Sequence, residues 1–84
     1  MAIDNLLKRI SVNPNICHGQ PCIKGHRIMV YLILDLLAAG ISPEEICGPD
    51  YYPTISIQDI HACIVYANRF VKYQAVPLAE QIHA

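Results

Sequence analysis

Four residues able to ligate a soft metal ion fall within ten positions: Cys17, His18, Cys22 and His26. Thiolate and imidazole are the side chains that zinc takes. The Cys-x4-Cys spacing lies at the edge of the usual range, and no second pair follows nearby. Cys47, Cys63 and His61 could complete a set only if the fold brought them to the loop. The alternative is that Cys17 and Cys22 are small apolar residues steadying a loop. No metal and no cofactor is therefore expected. The same residues invite a nucleophile-and-base reading, Cys22 with His26. It lacks an Asp or Asn placed to orient the base and any oxyanion motif. Glu44, Glu45, Asp50 and Asp59 lie near helix starts, where capping accounts for them. Gly19 and Gly25 lack the flanks of a phosphate loop. No catalytic residue, enzyme activity or small-molecule substrate is expected.

What remains is chemistry of association. The net charge is −1, which gives no global basic footprint for nucleic acid. Its distribution is uneven. Residues 1–28 hold Lys8, Arg9, Lys24 and Arg27 against Asp4. Residues 29–68 hold Asp35, Glu44, Glu45, Asp50 and Asp59 with no Lys or Arg. Phosphate attraction supplies most of the affinity for DNA. Any DNA contact is thus expected from Lys24, His26 and Arg27 with Lys8 and Arg9. A recognition helix would expose Gln58 and His61 near its start, but Asp59 and the acidic middle would repel phosphate, so it is expected to contribute little. The bland alternative is that these charges only keep an apolar domain in solution. For protein partners the candidates are Tyr51, Tyr52, Phe70 and Tyr73, since aromatic residues are enriched in interface hot spots. The competing reading is that their rings pad a small core.

The elements that position these residues can be read from periodicity and punctuation. Residues 1–9 suit a helical turn or an arm. Ile10–Val12 and Arg27–Met29 read as two short strands that would pair as a hairpin around a loop from Cys17 to Gly25. Asn13-Pro14-Asn15 signals a turn, with Asn tolerating left-handed backbone. Residues 30–39 form the first long helix, apolar nearly all round and so expected to be buried on most faces, stopped by Gly40. Two helix starts then repeat one device. Ser42 with Glu45, and Ser56 with Asp59, are capping boxes, and Ile41/Ile46 and Ile55/Ile60 are the matching hydrophobic staples. Aspartate is the weaker closer of such a box. The second helix is short, about residues 43–47, and is broken by Gly48, Pro49 and Pro53. The third runs from Ile57 to about Tyr73, with Ile57, Ile60, Ile64, Ala67 and Val71 as its apolar stripe.

These spacings predict one domain over residues 1–84: hairpin and loop at 10–29, helical core at 30–73, tail at 74–84. The fold class is mainly α, a three-helix core of helix-turn-helix or homeodomain-like type with a short N-terminal β-hairpin. Apolar residues make up 54% of the 84, more than so small a body can hide. A homodimer formed through the hairpin or the first helix is expected. No leader is read in residues 1–8, and the longest nearly apolar run, residues 28–41, is too short for a bilayer. A cytoplasmic setting with reduced thiols and no membrane contact is expected.

The run from Asn13 to Ile28, NPNICHGQPCIKGHRI, resembles the signature of the bacterial domain-of-unknown-function family 433. So do the apolar helix after it, the Gly40-Ile41-Ser42-Pro43-Glu44-Glu45-Ile46 segment and Tyr52-Pro53 before the last helix. The resemblance covers about residues 10–73. It departs at His18 and Gln20, where Gly and Lys are usual, and at His26, where Thr is usual. One basic residue is lost and an imidazole gained. Members of that family are commonly described as VapB-like antitoxins, often encoded beside a PIN-like nuclease toxin. The resemblance implies a helix-turn-helix-type fold, binding of a PIN-like toxin, and regulation of the protein's own operon through DNA. A tail that folds onto the toxin would be part of that picture. An oligomerising interaction module without DNA binding is the alternative.

Overall fold

The computed structural model of the chain describes residues 3–73. Within them lie four helices, α1 (Ile3–Leu7), α2 (Val30–Ala38), α3 (Pro43–Ile46) and α4 (Ile57–Tyr73). Three two-residue strands, β1 (Ile10–Ser11), β2 (Cys22–Ile23) and β3 (Ile28–Met29), form an antiparallel sheet in the order β1-β2-β3. Residues 1–2 and 74–84, including the expected C-terminal tail, lie outside the described residues.

The sheet corrects the expected hairpin. The two strands read from the sequence do not pair with each other. Cys22–Ile23, taken as loop, lies between them, with Ile23 opposite both Ile10 and Ile28 and Cys22 opposite Ser11 and Met29. The central strand is two residues long, too short to show alternation in sequence. Its reward is burial: Cys22 and Ile23 are almost fully covered, which anchors the sheet on the helices. Asn13 and Asn15 keep ordinary negative φ. Among the described residues, the left-handed ones other than glycine are Cys17, His18 and Arg27 instead. Asn13 contributes through its side chain, accepting the Asn15 N–H at 2.8 Å.

The core gathers one or two residues from each of several elements: Ile23, Val30, Ile33, Ile46, Ile55, Ile60 and Cys63. Each buried aliphatic side chain is worth about 1.5–3 kcal/mol, so a few isoleucines hold much of the domain together. Helix α2 ends in a Schellman motif. Gly40 has φ +90°, its N–H bonds to the Leu37 carbonyl, and the Ile41 N–H bonds to that of Leu36. Both capping boxes form. The Glu45 N–H donates to Ser42 Oγ at 3.1 Å and Ser42 N–H to Glu45 Oε1 at 3.4 Å. At α4 the Asp59 N–H donates to Ser56 Oγ at 3.3 Å and Ser56 N–H to Asp59 Oδ2 at 2.9 Å.

Two expectations about helix faces need correction. The buried residues of α4 are Asp59, Ile60, Ala62 and Cys63, with Tyr66 packed on the core. Ile64 and Val71 of the expected stripe are exposed. The stripe followed the largest aliphatic residues, whereas the buried face uses small Ala62 and Cys63 so that neighbours approach closely. Helix α2 buries fully only Val30 and Ile33; Leu34, Leu36 and Leu37 are partly covered and Tyr31 is half exposed. The chain does not cover its most apolar helix on all sides.

Candidate nucleic-acid and protein interfaces

Arg9 and His26 are tied to the start of α4 by two links, and Lys24 is bonded to Arg9. The Lys24 N–H donates to the Arg9 carbonyl at 2.8 Å. The Arg9 guanidinium donates through Nη1 to Asp59 Oδ1 at 3.1 Å. The His26 ring nitrogen Nδ1 lies 3.5 Å from the Thr54 hydroxyl, just before α4. Together they set the β2–β3 turn, residues 24–27, beside the N-terminal turn of α4.

Asp59 is the hub of this junction. Its two carboxylate oxygens do different things: Oδ2 closes the capping box and Oδ1 takes Arg9. The shorter aspartate was expected to close the box less well than Glu45. Its bond from the Ser56 N–H is shorter than the Glu45 counterpart, 2.9 against 3.4 Å, whereas the reciprocal bond to the serine hydroxyl is longer, 3.3 against 3.1 Å. Arg9, expected to contact DNA, is engaged here as an internal partner. The carboxylate also occupies the positive end of the α4 dipole, so that end is not open to a phosphate.

The other expected DNA-contact residues are exposed. Lys24 and His26 sit at the junction, Arg27 closes the turn with φ +55°, and Lys8 directly follows α1. Gln58 and His61 are exposed and one turn apart on α4. Of the expected partner-binding residues, Tyr51 and Phe70 are exposed, whereas Tyr52 packs against the core. The Tyr73 side chain lies outside what is described.

Sequence reasoning missed the apolar groove between α2 and α4. Its volume is about 230 Å³, and Pro21, Val30, Tyr31, Leu34, Tyr66 and Phe70 line it. Tyr66 and Phe70 meet edge-to-face with ring centroids 5.1 Å apart. An aromatic pair at i, i+4 was a legible signal of a shared helix face. Tyr31, on a helix read as buried on most faces, was not.

The loop residues with metal-binding chemistry are not gathered into a site. Among the described residues no group of three or more His, Cys, Asp or Glu is placed to hold a metal. The Cys17 thiol donates to the Arg27 carbonyl at 3.5 Å. Burial, then the neighbouring Cys17, pushes the Cys22 thiol up, against a smaller opposing pull from Arg27. Cys22 is thus held as a thiol. Burial pushes Cys63 up to about 12, with Asp59 adding to it. Cys47 is raised by burial, then by Asp59 and Glu44. No helix among the described residues is long and apolar enough to cross a membrane.

Fold and surface define a small domain of helices on a three-stranded antiparallel sheet, with a basic turn at one helix start and an apolar groove between two helices. The chain belongs to the protein-of-unknown-function family DUF433, whose model matches residues 10–67. No curated protein and no solved structure matches it.

Proposed function

We propose that this chain is an antitoxin-like binding protein with a helix-turn-helix-type core, which captures a PIN-like nuclease and contacts the DNA of its own operon. The observation that carries the DNA part is the junction that sets Lys24 and His26 beside the start of α4, where Gln58 and His61 are exposed. Backbone contacts from the turn would set the register, and Gln58 would reach a base edge. Toxin capture rests on the likeness to antitoxins noted above and on the exposed aromatic residues Tyr51 and Phe70.

Two measurements test this. The first is fluorescence anisotropy with a labelled duplex from the protein's own promoter, across a salt series. Lys24→Ala with Arg27→Ala should weaken binding and reduce the salt slope by about 2; unchanged affinity refutes the turn as the contact. The second is co-purification with the product of the adjacent gene, with and without residues 75–84. Capture that survives the truncation excludes the tail as the anchor.

A second reading is an oligomerising module without DNA binding. Two observations favour it: Arg9 is spent on Asp59, and the α2–α4 groove is apolar with half-exposed Tyr31 and Phe70 at its edges. Sedimentation velocity of the wild type and of Tyr31→Glu decides whether a homodimer uses this face. Dimers that persist unchanged in the variant place the contact elsewhere.

A further inference from the structure

We propose that Asn68, Arg69 and Lys72 grip a backbone phosphate at the far end of α4, so that the helix lies lengthwise on the duplex and is held at both ends. This rests on the DNA reading above and deepens it by naming a second contact. Gln58, His61, Val65, Asn68 and Lys72 recur at steps of three and four residues, which places them on one face of α4, with Arg69 at its edge. All but Val65 are exposed. The face carries amide, imidazole, guanidinium and ammonium groups and no carboxylate. Asp59 is the one acid of α4, and it is buried with both oxygens engaged, by the Ser56 N–H and by Arg9. The other acids of the middle region lie on α2, on α3 and in the loop after α3. Helix α1 packs along α4, and Ile3, Val65, Asn68, Arg69 and Lys72 line a hollow there of about 90 Å³. Arg69 Nη2 stands 3.9 Å from Asp4 Oδ1, and the Asp4 side chain is 90% exposed. So loose a surface pair is worth little, and a phosphate can displace it.

The dimensions fit a duplex. At the usual rise per residue, Arg69 and Lys72 lie about 17–21 Å along the axis from Gln58. The turn carrying Lys24 and Arg27 stands beside the start of the same helix. The major groove is about 12 Å wide, so a helix crossing it lengthwise meets one backbone near its start and the other near its end. Long recognition helices of homeodomains touch the backbone with their C-terminal ends in this way. Lys24 and Arg27 hold one strand, Arg69 and Lys72 the other, and the polar face of α4 looks into the groove between them. Two full positive charges outweigh the roughly half negative charge at the helix C-terminus. A helix docked end-on would leave Arg69 and Lys72 in solvent.

Fluorescence anisotropy of the full chain tests this across a salt series, with a labelled duplex from its own promoter and an unrelated duplex of equal length. Arg69→Gln with Lys72→Gln should weaken both duplexes by the same factor and reduce the salt slope by about 2. Asp4→Asn frees Arg69 and should tighten both by about two- to fivefold, the scale of one exposed ion pair. Asp35→Asn makes the same change in net charge on α2 and should leave both unchanged. Asp4 and Asp35 are exposed, and circular dichroism checks the fold of every variant. If the double variant does not fold, the comparison of Asp4→Asn with Asp35→Asn decides. Equal effects of those two trace the gain to net charge and overturn the site. An unchanged slope in a folded double variant, with Lys24→Ala plus Arg27→Ala still weakening binding, overturns the site and leaves the DNA reading standing. A wild-type chain that binds neither duplex overturns the DNA reading and this site with it.

Discussion

Replacing Asp59 removes the hub that joins the sheet to α4, and the size of the loss can be worked from its contacts. In Asp59→Ala the Ser56 N–H loses its acceptor at 2.9 Å and Arg9 loses its partner at 3.1 Å. A lost capping bond costs about 1 kcal/mol. A lost charge-assisted bond costs about 1.5–3 kcal/mol. The Arg9 side chain is 36% exposed and is rehydrated once free, so the lower end applies. The total is about 2–3 kcal/mol, against roughly 3–5 kcal/mol available to an unstapled core of this size. Asp59→Asn keeps an acceptor for Ser56 and loses only the charge, and should cost about 1 kcal/mol. Urea unfolding followed by far-ultraviolet circular dichroism reads all three proteins, with the midpoint of Asp59→Ala expected at half the wild-type value or below. Arg9→Met completes a double-mutant cycle, with an expected coupling of about 1 kcal/mol. A loss under about 0.5 kcal/mol for Asp59→Ala, or strict additivity in the cycle, would refute the idea that this junction holds the turn against α4.

Other outcomes follow from the same packing. The unfolded chain ionises Cys63 near its ordinary 9.0 while the folded chain holds the proton to about 12. Stability therefore falls as pH rises between those values, and Cys63→Ala should flatten that fall in denaturation midpoints taken across the alkaline range. The raised Cys22 and Cys47 act in the same direction. Gly40 has φ +90° and open space where a Cβ would stand, so Gly40→Ala should cost about 1–2 kcal/mol from backbone strain alone; a neutral result in thermal melts contradicts the Schellman cap. Ile33 is fully buried. Ile33→Val should cost about 1 kcal/mol, and Ile33→Ala about 2–5 kcal/mol, enough to leave much of the chain unfolded at room temperature.

Local rules written in a few adjacent residues were legible without a structure. Pro43 after Ser42, Glu45 three residues on from Ser42, and Gly40 after an apolar run each dictate a helix end within one turn of chain, and each end falls where those residues place it. The start of α4 was legible for the same reason, set by the capping Ser56. The loop chemistry of Cys17, His18, Cys22 and His26 was visible as residue types, but their partners were not. His26 meets Thr54, and Cys17 meets the Arg27 carbonyl. Such partners lie far apart in sequence or depend on a left-handed turn that no glycine announces at Cys17 and His18.

Tertiary structure alone decided which face of α4 is buried, because close approach selected Ala62 and Cys63 over the larger Ile64 and Val71. It alone inserted Cys22–Ile23 between the two expected strands, since a two-residue strand gains its stability from what covers it and not from its own pattern. And it alone turned Arg9 inward to Asp59, fifty residues away in sequence, because a buried carboxylate needs a charged or hydrogen-bonding partner and only the packed chain says which one is near.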